Sequence, residues 1–309
     1  HICKHIIRGD FFMYEDSIAF PHLHILFKHV GRRLMIGNFS IAFYGMVIAL
    51  GMVLAFIFIM HEAKRVGYKQ DDFMDLFIFG IIFGVIGARI YYVIFSWDNY
   101  KNDLLQIFNI RGGGLAIYGG IIGGTITVIV MCHIKKLNFW KCADVIVFGV
   151  LIGQIFGRWG NFFNREAFGK YTDSLFAMRI PVDAVNRAQD ITAEMKANIV
   201  TVNGIDCIQV HPTFLYESLF NLCLFLFLLW YRKRKKFDGE IFFMYMGFYG
   251  LGRCFIESLR TDQLLIPGTS LAVSQLLGLA LFVGCVAYTW YAHYRKLVKK
   301  WSNSSGNGE

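Results

Sequence analysis

Proline is nearly missing from this chain: four residues in 309, at positions 21, 181, 212 and 267. None falls inside the long apolar runs, as uninterrupted helices require. Cysteine is scattered and odd in number (3, 132, 142, 207, 223, 254 and 285), and no Cys-x-x-Cys spacing occurs. That argues against a disulfide framework and against a zinc site. Cys254, although beside Arg253, reads as a buried apolar thiol rather than a reactive one. Charge is also missing over long stretches; residues 145–156 carry none. No internal repeat is apparent, which counts against a carrier built from paired halves. What fills the chain instead is apolar: 56% hydrophobic and 17% aromatic. An ordinary soluble domain has no use for so many uninterrupted apolar runs.

The chain therefore reads as an all-α polytopic membrane protein. Seven candidate spans, 41–60, 73–95, 115–133, 142–161, 214–230, 241–255 and 271–291, lie near the ~20 residues that a bilayer requires. The net charge of +9 is not a nucleic-acid footprint. Fifteen of the 31 lysines and arginines lie in alternate connections and the tail: Lys64, Arg65 and Lys69; Lys135, Lys136 and Lys141; 232–236; and Arg295, Lys296, Lys299 and Lys300. The short loops of the opposite set hold only Lys101, Arg111 and Arg260. Positive-inside then puts the N-terminus outside and the C-terminus in the cytoplasm. Residues 1–40 divide into an extension over 1–12, with Met13 the more natural initiator, and a segment over 18–39 lying at the membrane surface. No cleavable signal peptide is visible. Residues 41–291 form the transmembrane domain, with 165–212 inserted as a small extracytoplasmic cap. Within the cap, 183–197 is helix-compatible and 199–210 reads as a hairpin about Asn203-Gly204. Residues 292–309 are a basic and polar cytoplasmic tail, disordered from 301.

One stretch concentrates the chemistry. Residues 157–169 bring Arg158, Asn161, Asn164, Arg165 and Glu166 to the end of an uncharged span. Ionisable groups at membrane depth are costly and are kept for a partner, a ligand or a reaction. Gln154, Arg158, Asn161 and Arg165 share one helical face. Gly149, Gly153 and Gly157 share another, at the spacing that lets helices touch backbone to backbone. The bland alternative is a helix cap with an ion pair. Arg89, Tyr44, Tyr118, His211, Glu217, Arg253, Glu257 and Arg260 also lie on the outer side, in or next to their spans, whereas the inner halves are nearly uncharged apart from Asp144. A proton path would string charges through the whole depth. This pattern instead describes an arginine-lined pocket open to the outer leaflet, suited to the phosphate of a lipid head group. The glutamates then hold the arginines, or are merely their ion-pair partners. Gly112–Gly114 suits a loop of exposed amides facing an anion, while Gly119, Gly120, Gly123 and Gly124 read as helix packing. Tyrosines near an interface are often anchors, and His211 before Pro212 suits a helix cap; each type also transfers protons where it reaches a substrate.

Gly157-Arg158-x-Gly160-Asn161-Phe162-x-Asn164-x-Glu166-x-x-Gly169 resembles the signature of the prolipoprotein diacylglyceryl transferase family. His211-Pro212-Thr213-x-Leu215-Tyr216-Glu217 and Gly250-x-x-Arg253-x-x-x-Glu257-x-x-Arg260 resemble its second and third blocks, and Tyr44-Gly45 and Gly87-x-Arg89 fit as well. Where the family often has His-Gly-Gly or His-Gly-Ala, this chain has Tyr118-Gly119-Gly120. The resemblance, running from about 18 to 291, implies transfer of diacylglyceryl from phosphatidylglycerol to the lipobox cysteine of a preprolipoprotein signal peptide. It implies a bacterial cytoplasmic-membrane enzyme without metal or cofactor. Arg158 and Arg253, with Arg89 and Arg260, are expected to hold the phosphate, and Glu166 and Glu257 to position them. Asn161 and Tyr44 are expected on the glycerol or ester, with Glu217, Gly119 and Gly169 lining the site. His211 or Tyr118 is expected to transfer a proton. The rival readings are an anion or lipid transporter and a non-catalytic phospholipid-binding subunit.

Overall fold

The computed structural model describes residues 16–305 except 38, 111–112, 262, 264–265 and 267–271; side chains are described for all of these but 39 and 297–305. The expected extension and Met13, Arg111 with Gly112, Pro267 and the last four tail residues lie outside the described residues. Eight α-helices are described: α1 (Phe43–Arg65), α2 (Gln70–Phe95), α3 (Ile117–Ile134), α4 (Phe139–Asn164), α5 (Ala193–Ala197), α6 (Thr213–Tyr231), α7 (Glu240–Glu257) and α8 (Val273–Ser305). Six are long and apolar enough to cross a membrane: α1, α2, α3, α4, α6, and α8 over Val273–Lys296. The remaining expected span is the helix α7, which carries Glu240, Arg253 and Glu257 within its 18 residues and falls outside that group. Helix α8 runs on to Ser305, so helix occupies much of the tail expected to be disordered.

The all-α expectation is corrected by seven strands: β1 (Ile18–Phe20), β2 (Ile25–Phe27), β3 (Arg33–Ile36), β4 (Phe39–Ala42), β5 (Met178–Pro181), β6 (Val200–Val202) and β7 (Ile205–Val210). The segment expected at the membrane surface is thus largely strand. β1, β2, β5, β6 and β7 form one antiparallel sheet in the order β2-β1-β5-β7-β6, and β3 pairs with β4. The physical reason is long-range: β1 is three residues long and gains its place by pairing Ala19 with Arg179. The hairpin expected about Asn203-Gly204 is present, with both residues at positive φ, 51° and 79°, as the tight two-residue turn requires. The helix-compatible stretch 183–197 yields two short 3-10 turns and the single-turn α5.

The chain forms two compact units, 54–149 and the remainder. In the first, Ile59, Phe73, Leu76, Cys132, Cys142 and Val145 are buried together. Its helices α2 and α3 meet at glycines, as their sequence predicts: a Cβ on Gly87 would stand 2.5 Å from the Gly119 carbonyl oxygen, and Gly84 faces Gly120. Gly119 is therefore a packing residue. In the second unit one face of the sheet packs Ile18, Phe20, Met178, Ile180, Ile208 and Val210 into a single core. Phe162 and Phe168, from the end of α4 and the loop beyond it, and Phe214 from α6 complete that core. The sheet thereby fixes the two chain segments that carry the signature residues. Of the three glycines in line on α4, Gly149 packs against Ile59, whereas Gly153 and Gly157 face open space. The small-residue stripe is a contact at one position only.

Candidate active site

Three guanidinium groups converge on one carboxylate. Glu217, in the second turn of α6, has a side chain only 3% exposed. Its Oε2 stands 2.7 Å from Arg158 Nη2 of α4 and 3.3 Å from Arg253 Nη1 of α7, and its Oε1 lies 3.8 Å from Arg260 Nη1. Arg253 also donates to Glu257, 2.5 Å away and one turn along α7. The four-residue spacing of Arg253 and Glu257 makes that bond local. The bonds to Glu217 require α4, α6 and α7 together. The guanidinium groups of Arg158 and Arg253 keep 22% and 20% exposure in front of carboxylates almost fully buried. A set of cations held from behind presents its remaining N–H groups forward, which is what an incoming anion needs.

Glu166 differs from its expected role. It accepts hydrogen bonds from the amides of Asn161 (3.2 Å), Asn164 (3.1 Å) and Asn186 (2.7 Å), and among the described residues it makes no ion pair. The expected Arg158–Glu166 pair is replaced by Arg158–Glu217. The turn that frees Glu166 from the helix comes from Arg165 and Ala167, both at positive φ, 52° and 53°. Tyr44 lies against Gly160, where a Cβ would stand 2.6 Å from its ring. It is close enough to Glu166 and Arg158 to feel both charges. Tyr44, Asn161, Arg158 and Glu166 thus occupy one neighbourhood.

Arg165, expected on the face of Arg158, turns away past the end of α4. Its side chain is wholly buried and donates to Asp16 O (2.8 Å) and Val30 O (2.5 Å). Burial pulls its pKa down despite the nearby Asp16. His211 has its Nδ1 3.3 Å from the Tyr216 hydroxyl. Partial burial lowers its pKa, which favours the neutral imidazole. Gly169 is a close-approach position. Its N–H donates to His211 O, it bridges to Arg260, and a Cβ would meet His211 Cβ at 2.7 Å and Leu259 O at 2.8 Å. Gly169→Ala is expected to lower stability by about 1–3 kcal/mol through overpacking against backbone, seen as a fall in thermal midpoint in detergent.

Arg89 and Tyr118 belong to the other unit. All five N–H groups of Arg89 are engaged by backbone carbonyls: Nε with Ile107, Nη1 with Gly113 and Gly114, Nη2 with Gln106 and Asn109, at 2.6–3.1 Å. A guanidinium has five donors, so Arg89 organises the loop between α2 and α3, and the phosphate contact expected of it lacks a donor. Tyr118 is 64% exposed and lies beside Tyr91, ring centroids 6.4 Å apart. Sequence reasoning missed Asn186, which reaches Glu166 from the cap and has no local signal, and it missed Glu217 as the shared partner. The one clue to the latter was a glutamate in an otherwise apolar helix. Among the described residues no group of three or more His, Cys, Asp or Glu is placed to hold a metal ion.

The apolar helices define a multi-pass membrane protein, in which three arginines meet on one buried glutamate. The chain belongs to the prolipoprotein diacylglyceryl transferase family, whose sequence profile matches residues 33–291. It is 40% identical over 258 residues to the phosphatidylglycerol–prolipoprotein diacylglyceryl transferase of Clostridioides difficile (strain 630), covering 83% of this chain and 93% of that one. The Finegoldia magna protein of the same name is 41% identical over 248 residues, 80% of this chain and 89% of its own. That of Listeria innocua is 41% identical over 252 residues, 81% and 85%.

Proposed function

We propose that this chain transfers the diacylglyceryl group of phosphatidylglycerol to the lipobox cysteine of prolipoproteins. The observation that carries the reading is the convergence of Arg158, Arg253 and Arg260 on buried Glu217. Arg158 and Arg253 grip the phosphate, Arg260 flanks them, and Glu217 and Glu257 hold the guanidinium groups in place. Asn161, oriented by Glu166, and Tyr44 hydrogen-bond the glycerol and ester region. The cysteine thiol gives up its proton, its sulfur bonds to the glycerol carbon, and the carbon–oxygen bond to phosphate breaks. Glycerol phosphate departs with the bonding electrons. Charge grows on the phosphate as that bond breaks, and donors aimed there in advance stabilise it. A free thiol has a pKa near 8.5, so a base is needed. His211, part-buried beside the Tyr216 hydroxyl, is our candidate, ahead of Tyr118, which is 64% exposed.

The finer architecture belongs to the same proposal. Helix α7 completes a set of seven spans, with the N-terminus outside and the C-terminus in the cytoplasm. The sheet forms an extracytoplasmic cap, and the site opens to the outer leaflet of the bacterial cytoplasmic membrane. The test is a purified chain, phosphatidylglycerol and a lipobox peptide, read by mass spectrometry. A gain of one diacylglyceryl group on the peptide is expected. Lipid retained without a product would instead mark a binding subunit, and flux across liposomes without a product a transporter. Arg253→Ala is expected to cut the rate by about 10²–10³, the usual loss for one charge-stabilising donor. Undiminished turnover would remove Arg253 from the mechanism.

A further inference from the structure

An apolar groove lies at the far end of α7 from the arginine cluster. Helices α7 and α8 touch at Gly250 and Gly278, where a Cβ on Gly250 would stand 2.6 Å from the Gly278 carbonyl oxygen. From there towards the start of α7 a groove of about 270 Å³ opens between them, walled by Phe243, Gly247, Val286 and Trp290. It ends at His293. Its lining is almost wholly apolar, and little of α8 over Val273–Lys296 is buried, with Trp290 71% exposed. In a bilayer a groove of this kind faces hydrocarbon.

The mouth of the groove is basic. His293 Nε2 pairs with Glu240 Oε1 at 2.8 Å, and Tyr231 donates to the same carboxylate at 2.6 Å. Glu240 is fully buried and also accepts the backbone N–H of Lys236, so its charge is enclosed. Lys296 donates to the Lys236 carbonyl, which brings the Lys296 ammonium to the loop that bears the Lys236 side chain. Both lysine side chains are exposed. Arg253 is 13 residues along α7 from Glu240, which at 1.5 Å per residue is about 20 Å.

We propose that this groove binds an anionic phospholipid at a site separate from the transfer site. One acyl chain lies between α7 and α8, and the phosphate rests on Lys236 and Lys296. An ammonium has three donors, and the carbonyl bond uses one on Lys296. Basic pockets at the ends of membrane helices favour anionic head groups, roughly fivefold for each lysine near the surface.

The test uses the full chain with p-benzoylphenylalanine in place of Trp290. It is reconstituted in nanodiscs of equimolar phosphatidylglycerol and phosphatidylcholine with identical acyl chains, then illuminated. Phosphatidylglycerol adducts are expected to exceed phosphatidylcholine adducts at least fivefold. Lys236→Gln with Lys296→Gln should bring the two to parity, and Arg253→Ala should leave the preference unchanged. Equal capture with the lysines in place, capture of a second protein copy, or no lipid adduct would overturn the proposal. Native mass spectrometry on the chain without the probe gives an independent reading. In the Arg253→Ala background, phosphatidylglycerol retention should fall several-fold when both lysines are changed, and unchanged retention counts against the site.

Discussion

Glu217→Gln is expected to lower the transfer rate by about 10³, more than the loss of any one arginine, and to do so through kcat. The substitution keeps the size of the side chain and removes one charge. That charge is 3% exposed and faces Arg158 at 2.7 Å, Arg253 at 3.3 Å and Arg260 at 3.8 Å. An amide presents one oxygen and one NH2, so at least one guanidinium meets a donor where it had an acceptor. The arginines are partly exposed and swing towards water, which spares the fold much of the penalty for an uncompensated buried charge. It does not spare the reaction. Donors that must be gathered again for each turnover lose the advantage of preorganisation, roughly two to three decades for one donor and more when two are released. The check is the initial rate of mass gain on a lipobox peptide across a phosphatidylglycerol titration. A rate within tenfold of the parent would show that the arginines are held by something other than Glu217.

How much of this was legible beforehand depends on the range of the interaction. Arg253 and Glu257 are four apart on one helix, and their pairing follows from the helical repeat. The packing of Gly87 on Gly119 and the turn at Asn203-Gly204 are likewise written in local spacing. The choice of Glu217 over Glu166 as partner of Arg158 is not. Glu166 is only eight residues from Arg158, but α4 ends at Asn164, and the positive φ of Arg165 redirects the chain. Glu217 is 59 residues away and reaches Arg158 only because α6 lies beside α4, where Trp159 donates to Ser218 at 3.2 Å. Arg89 shows the same limit from the other side. An arginine in an apolar span reads as a ligand site, yet five carbonyls of a loop 17–25 residues on engage every donor. The strands β1 and β2 were hidden because three-residue segments carry no usable periodicity, and β1 meets its partner β5 at Arg179, far downstream of Ala19.

Arg165→Met is expected to cost about 1–3 kcal/mol of stability, the penalty for leaving the buried Val30 carbonyl without this donor. Methionine fills the space of the aliphatic stem, so the effect isolates the polar head. The guanidinium donates to Asp16 O at 2.8 Å and Val30 O at 2.5 Å, the two ends of the segment that contains β1 and β2. Val30 N–H closes the same loop onto Asp16 O at 3.0 Å. Without the guanidinium, β1 keeps its pairing of Ala19 with Arg179, the core contacts of Ile18 and Phe20, and the bonds of His22 to Asp173 and of Arg32 to the Ala184 carbonyl, but loses the clamp that joins the two ends of its segment. Hydrogen exchange at Ile18–Phe20 should therefore accelerate far more than exchange within α6 or α7. Arg165→Lys is expected to rescue in part, because one nitrogen, Nη2, makes both bonds and an ammonium carries three donors on a single nitrogen. Transfer by the methionine variant should fall as well, since Glu166 is the next residue and takes its position from the same turn. Unchanged protection of β1 in the methionine variant would mean that the sheet holds itself, and the activity loss would then need another cause.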